Sequence, residues 1–186
     1  MSRYDRVEPL SRDHETAELD CGSEAQTSWL RRHALRAHQS DTAKVYVVCR
    51  VGTRQVVGYY ALAAGSVAHD GMPPRIVKGL GRYPIPVILL TRLGVDVEEQ
   101  GMGLGSALVR DALLQTASIA DRVAVRALLI HAETPEAAAF YRRIDSGFAP
   151  SPTDPLHLVL LLKDLRGALR EAAANDAVAK PQVSRG

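Results

Sequence analysis

Short apolar runs and longer amphipathic stretches alternate along the chain, separated by turn-forming residues. "RVEPLS" reads as a short opening strand. "SEAQTSWLRRHALRAHQ" reads as a helix, with Ser23 as N-cap and Gln26, three residues on, as its capping-box partner. Trp29, Leu30, Ala34 and Ala37 then fall near one face, while Arg31, Arg32 and Arg36 lie elsewhere on the helix surface. "AKVYVVCRV" and "QVVGYYALAAGSV" read as two strands joined across "GTR" in a hairpin. Residues 68–86 are rich in Gly and Pro and predict a long loop with little regular structure. "VILLTRLGVDV" then reads as a buried strand, a glycine-rich loop follows, and a helix runs from about Leu104 to Ala117. "AVRALLIHA" predicts another strand. "TPEAAAFYRRID" opens a helix, since Thr134 suits the N-cap, Pro135 the first helical position and Glu136 the first turn. Gly147 is expected to end it. "LHLVLLL" makes a last strand, "KDLRGALREAAA" a C-terminal helix, and "NDAVAKPQVSRG" a polar tail expected to be disordered. The order β, α, ββ, β, α, β, α, β, α describes one α/β domain with a mixed sheet over residues 1–165, then a helix and tail over 166–186.

With 186 residues, 46% of them hydrophobic and 24% charged, the chain can bury a sizeable core as a single domain. A net charge of +2 does not by itself announce a nucleic-acid binder. Of the 23 basic residues, 19 are Arg; this suits bidentate phosphate contacts, and a GC-rich coding sequence would produce the same bias. Cys21 and Cys49 read as free thiols, and none of the six histidines makes a metal-ligand pattern, so no metal is expected. His131 and Trp29 read as core residues. The opening segment is polar throughout and no apolar run approaches a bilayer span, which predicts a reduced, cytoplasmic protein without a membrane contact.

The chemistry concentrates in "EEQGMGLGSALVRDALL", where Gly101, Gly103 and Gly105 stand between a strand and a helix. A nucleotide P-loop would need a lysine before Ser106, and a dinucleotide fingerprint a different glycine spacing; neither fits. What remains is Q-x-x-G-x-G ahead of a helix, whose exposed N–H groups and dipole suit a pyrophosphate.

On this motif the chain resembles the GNAT superfamily of N-acetyltransferases. "LGVDVEEQGMGLGSALVRDAL" is similar to the acetyl-CoA-binding motif and "AAAFYRRIDSGF" to the second signature, in the same order. "LDCGSEAQTSWLRRHA", "VVGYYALAAGSV" and "YPIPVILLTRLGVD" further resemble the toxin branch, whose members acetylate the α-amine of aminoacyl-tRNA and are encoded beside ribbon–helix–helix antitoxins. Similarity runs from about Leu19 to Lys163; "RIDSGF" exceeds the usual tyrosine-to-Gly-Phe spacing, and the C-terminal extension exceeds the typical form.

The resemblance implies a GNAT fold: a mixed, mostly antiparallel sheet, splayed near the acetyl-CoA site and flanked by helices. It implies acetyl-CoA as cosubstrate, bound by Leu93, Gly94, Val95 and Val97 through backbone atoms and by Gln100, Gly101, Met102, Gly103, Leu104, Gly105 and Ser106 around the pyrophosphate. It implies Tyr141 as general acid, because a phenol of pKa about 10 keeps its proton at neutral pH and can pass it to sulfur; core packing is the competing role. No general base stands out. Asp96, Glu98 and Glu99 read as loop-edge charges, and Glu133 either orients a water or serves as a helix N-terminal charge. An α-amine, with a pKa of about 7.7–8.0, needs less help than a lysine near 10.4, which favours an aminoacyl ester as acceptor. Arg31, Arg32, Arg36, Arg75, Lys78, Arg82, Arg142 and Arg143 are the candidate tRNA contacts, expected to cluster around the cleft. The implied partners are a ribbon–helix–helix antitoxin, whose complex binds operator DNA, and a second copy in a homodimer. An acetyltransferase for protein N-termini or small amines, and a non-catalytic partner-binding module of the same fold, remain the alternatives.

Overall fold

The computed structural model describes residues 3–179. Its centre is a seven-stranded sheet ordered β1-β2-β3-β4-β5-β7-β6. The strands are β1 (Glu8–Pro9), β2 (Lys44–Cys49), β3 (Val56–Val67), β4 (Ile85–Val95), β5 (Ala127–His131), β6 (Ala149–Pro150) and β7 (His157–Leu161). Every neighbouring pair is antiparallel except β4 and β5. The helices are α1 (Glu24–Trp29), α2 (Leu35–Gln39), α3 (Pro74–Val77), α4 (Leu104–Ala120), α5 (Pro135–Ile144) and α6 (Leu162–Ala179). A π-helical segment, Leu30–Ala34, joins α1 to α2, so the uniform first helix expected from the sequence widens in its middle.

Strand alternation sorts the core onto two faces. Tyr60, Leu62, Leu90, Leu128, Ile130 and Leu160 pack with Leu108 and Val109 of α4 and Leu165 of α6. On the other face Val45, Val47, Tyr59 and Ala61 meet Leu30 and Ala34 of the first helical region. That cover does not reach Val87, Leu129 and Val159, and here the segment before β4 differs from the structureless loop expected. It folds back as a 3-10 turn (His69–Gly71) and α3, inserting Met72 and Ile76 over those side chains. Arg126 pins it, donating through Nε and Nη2 to the Ile76 carbonyl at 3.1 and 3.0 Å.

Two helix ends depart from expectation. α5 stops at Ile144, and Gly147 is not a left-handed cap: its N–H donates to Asp145 Oδ1 (2.7 Å), and a Cβ there would lie 2.9 Å from Leu160 Cδ1. Close approach, not chain reversal, requires that glycine. α6 stays helical through Ala179, so residues 175–179 of the expected tail belong to the helix; the rest of the tail lies outside the described residues.

Candidate acetyl-transfer site

β4 changes its pairing halfway along. Val87 to Leu90 lie parallel to Ala127–Ile130 of β5, but beyond Leu90 only β3 continues beside it, as far as Val95. A bulge marks the change: Ala61 faces Arg92 and Leu62 faces Leu90, leaving Thr91 as the extra residue. The Asp96 N–H donates to the Val57 carbonyl (2.9 Å), which sets the phase of the ladder. Arg92 and Gly94 therefore bond toward β3, while Leu93 and Val95 turn their backbone groups into the gap left by β5. Gly94 serves differently. A Cβ on it would lie 2.6 Å from Tyr59 Cε1, so the bare position lets a buried tyrosine pack against the strand.

The gap leads into the glycine loop. Gly101 and Gly103 have φ of +76° and +85°, the left-handed region that disfavours side chains, with nothing within 4 Å of where a Cβ would project. Gly105 lies against Phe140, 3.3 Å from Cζ to a hypothetical Cβ. The first backbone bond of α4 runs from the Ala107 N–H to Gly103 (3.0 Å). The N–H groups of Leu104, Gly105 and Ser106 thus form the open first turn of a 17-residue helix, with its positive dipole end.

Both flanks of the loop are tied down. Gln100 Nε2 donates to the carbonyls of Cys21 (3.1 Å) and Val95 (3.0 Å). The Glu99 carboxylate, 2% exposed, receives Arg50 at 2.7 Å, the Tyr4 hydroxyl at 2.8 Å and Arg3 at 3.3 Å. The Val97 N–H donates to Asp20 (2.7 Å).

Leu93, Gly94, Val95, Gln100, Gly101, Gly103, Gly105 and Ser106 border one cleft of about 560 Å³. The other three cofactor candidates stand apart. Val97 has its N–H engaged and its side chain exposed, Met102 points outward against Arg3, and the Leu104 side chain is buried in the core, leaving only its N–H for a ligand. Gln100 acts as a clasp through its amide nitrogen, so the donors this loop offers to the cleft are backbone N–H groups. The cleft also takes Cys21, Ser23, Gln26, Glu133 and Phe140, residues that the motif did not identify.

A smaller cavity of about 80 Å³ opens beside the first and shares Gln26, Leu93 and Glu133 with it. Tyr141 lines it, 8% exposed, its ring edge-on to Phe140 and tilted against Phe148. Burial, with a smaller contribution from the Glu133 charge, holds its phenol well above the ordinary tyrosine value, so it keeps its proton. Glu133 is gripped from α1: Ser23 Oγ reaches Oε2 at 3.3 Å and Gln26 Nε2 reaches Oε1 at 2.5 Å. Ser23 caps α1 as expected, accepting the Gln26 N–H at 3.4 Å. The Gln26 side chain, however, leaves the capping box for Glu133, with Tyr59 donating to the Gln26 carbonyl at 2.8 Å. His131 is not a core residue. It is exposed at the cavity and stacked on His157 with centroids 3.8 Å apart; partial desolvation of the ring and the charge of that neighbour lower its pKa. Arg92, absent from the sequence candidates, lines the same cavity and lies over Trp29, 5.4 Å from its ring centre.

The basic candidates occupy different surroundings. Arg142 and Arg143 are exposed in the last turn of α5, directly after Tyr141, and Arg31, Arg32 and Arg36 are exposed along the first helical region. Arg82 and Lys78 belong to the segment before β4, where Arg82 borders a separate cavity with His69 and Tyr83. Arg75 is bound to Asp164. Cys21 and Cys49 are free thiols.

No family model matches the chain. A tRNA-acetylating toxin from Mycobacterium tuberculosis is 45% identical over 91% of this chain and 99% of its own length. Among solved structures, AtaT complexed with acetyl-methionyl-tRNAfMet superposes with a TM-score of 0.80 at 28% identity, over 88% of this chain and 98% of that one. A tyrosine-to-phenylalanine mutant of the AtaT toxin, bound to the C-terminus of the antitoxin AtaR and acetyl-CoA, gives a TM-score of 0.76 at 27% identity, over 90% and 99% of the two chains.

Proposed function

Since the chain belongs to the tRNA-acetylating toxins, with the GNAT fold, we propose the following working of its site. It is an acetyltransferase that moves the acetyl group of acetyl-CoA to the α-amine of aminoacyl-tRNA, which removes charged tRNA from translation. The observation that carries the assignment of residues is the one-sided edge of β4 running directly into two left-handed glycines and the open end of α4. The pantetheine arm takes the place of the missing strand, bonded by the backbone of Leu93 and the Val95 N–H. The pyrophosphate rests on the N–H groups from Gly101 to Ser106. This orientation brings the thioester to where the two cavities meet, beside Tyr141.

Amide formation then needs a proton for the departing thiolate, and Tyr141 supplies it. The acceptor's 3′ end enters from the side of Arg92 and Trp29, with Arg142 and Arg143 on its phosphates and the Arg31, Arg32 and Arg36 surface beyond. The partners are a ribbon–helix–helix antitoxin, its complex with operator DNA, and a second copy of this chain; among the described residues no helix is long and apolar enough to cross a membrane.

The test follows labelled acetyl from acetyl-CoA into a charged tRNA pool, with Tyr141→Phe beside the wild type. Label on the aminoacyl group, reduced roughly 10²–10⁴-fold in kcat by Tyr141→Phe with acetyl-CoA affinity unchanged, is the expected outcome. No label on tRNA, with label on peptide N-termini or small amines, would move the protein to another acceptor.

A further inference from the structure

Tyr141 accounts for one proton of the reaction and leaves open where the protons of the amine go. Among the described residues, only Glu133 offers a carboxylate to both cavities, standing where the thioester and its acceptor meet. The hold on it is specific: Ser23 takes one oxygen and Gln26 the other, and Gln26 is itself fixed by the buried Tyr59, whose hydroxyl donates to its carbonyl (2.8 Å) and its Oε1 (3.2 Å). Each carboxylate oxygen can accept a further hydrogen bond. The other groups bordering the two cavities could not replace it. Arg92 is a permanent cation, His131 borders only the smaller cavity, where its ring is stacked on His157, and Cys21 borders only the larger, against Gly94.

We infer that Glu133 is the ammonium-binding and proton-accepting residue of the acetyl transfer. The assignment rests on the acetyltransferase reading above and adds to it the form in which the acceptor is recognised. The aminoacyl group arrives as an α-ammonium and pairs with the carboxylate. One proton passes to Glu133 and out to solvent through the open cleft, which frees the nitrogen lone pair. The nitrogen attacks the thioester carbon; the N–C bond forms and the C–S bond breaks. The second proton leaves the nitrogen for Glu133, Tyr141 gives its phenolic proton to the CoA sulfur, and Glu133 returns a proton to the phenolate through solvent. The products are the N-acetyl aminoacyl ester, CoA thiol and one released proton. The two residues are also coupled. The Glu133 charge helps keep the Tyr141 phenol protonated, and neutralising the carboxylate during attack removes that repulsion as the thiolate departs.

The experiment measures kcat/KM for acetylation of charged tRNA between pH 5.5 and 8, using the full chain and its Glu133→Gln and Glu133→Asp variants, with acetyl-CoA Kd measured alongside. With Glu133 in place the reactive substrate is the ammonium, so the wild-type profile stays high below the amine pKa. Glu133→Gln must await the free amine, so its deficit grows by about tenfold for each pH unit below that pKa, at unchanged acetyl-CoA Kd. Glu133→Asp, which keeps the carboxylate, retains the wild-type acid limb at reduced rate. Parallel profiles for wild type and Glu133→Gln would overturn the inference while leaving the acetyltransferase reading intact. An equal loss at every pH with weakened acetyl-CoA binding would reduce Glu133 to a structural role. A wild type that transfers no acetyl to charged tRNA would take down the functional reading and this inference together.

Discussion

The two halves of β4 are made from similar residues and do opposite work. From Val87 to Leu90 the strand lies between β3 and β5 and its side chains enter the core; from Thr91 to Val95 it keeps β3 alone. The first half satisfies its backbone within the sheet, and the second presents backbone donors and acceptors to a cleft. An apolar strand can therefore be core in one half and cleft wall in the other, and the switch is a change of partner at a single bulge. Substitutions on the two sides of that bulge should separate stability from binding.

The largest effect is expected in the paired half. Leu128 of β5 is fully buried opposite Ile88, so Leu128→Ala should cost about 2–5 kcal/mol in denaturant unfolding. The protein that remains folded should bind acetyl-CoA with wild-type affinity in calorimetry. A large loss of affinity in the folded fraction would mean that the two halves are one mechanical unit.

Gly94→Ala comes next and crosses the boundary. The added Cβ would lie 2.6 Å from a ring atom of Tyr59, which is fully buried and bonded through its hydroxyl to Gln26. Relief requires Tyr59 to move, at roughly 1–3 kcal/mol of stability, and movement of Tyr59 disturbs Gln26 and through it Glu133. Turnover should therefore fall more than acetyl-CoA affinity. A variant that loses only stability would show that the chain from Tyr59 to Glu133 has slack.

Gly103→Ala should be milder for the fold and act at the other end of the cleft. Nothing lies within 4 Å of its missing Cβ, so the penalty is the left-handed backbone alone, about 1–2 kcal/mol. If the molecule avoids that strain by reorienting the loop, acetyl-CoA binding weakens by about tenfold, since 1.4 kcal/mol corresponds to that factor. Wild-type affinity would place the pyrophosphate elsewhere.

These contrasts also explain what the sequence disclosed. Thr134, Pro135 and Ser23 acted as their local chemistry dictated, because a cap needs only its own helix. Gly101 and Gly103 were legible as a loop with bare backbone because left-handed φ is a local demand. The strand partners were not legible. That β4 and β5 separate after Leu90 depends on register between residues 40 positions apart, and no pattern within either strand encodes it. Gln26 looked like half of a capping box, yet tertiary contact drew it to Glu133, 107 positions away. Gln100 looked like a phosphate ligand, yet its amide closes the loop onto Cys21 and Val95. Met72 and Ile76 were hidden in a Gly- and Pro-rich segment because the apolar surface they cover belongs to three other strands.

The smallest effect, and the one that bears on substrate, concerns the arginines. Arg75 and the pair Arg142 and Arg143 are all exposed, but Arg75 is already neutralised by Asp164, whereas Arg142 and Arg143 follow Tyr141 on α5. Phosphate binding by an arginine that must first leave a carboxylate gains little, so Arg75→Gln should leave tRNA acetylation within about twofold, in keeping with the small net value of exposed ion pairs. Charge reversal at Arg142 and Arg143 should instead raise KM for charged tRNA and flatten its salt dependence, by about 0.7–0.9 in the log–log slope for each phosphate no longer neutralised. Acetyl-CoA affinity should not move, because neither side chain borders the glycine loop cleft. An equal loss in both affinities would place these arginines in the fold of α5; an effect at Arg75 as large as at the pair would place the tRNA backbone across the segment before β4.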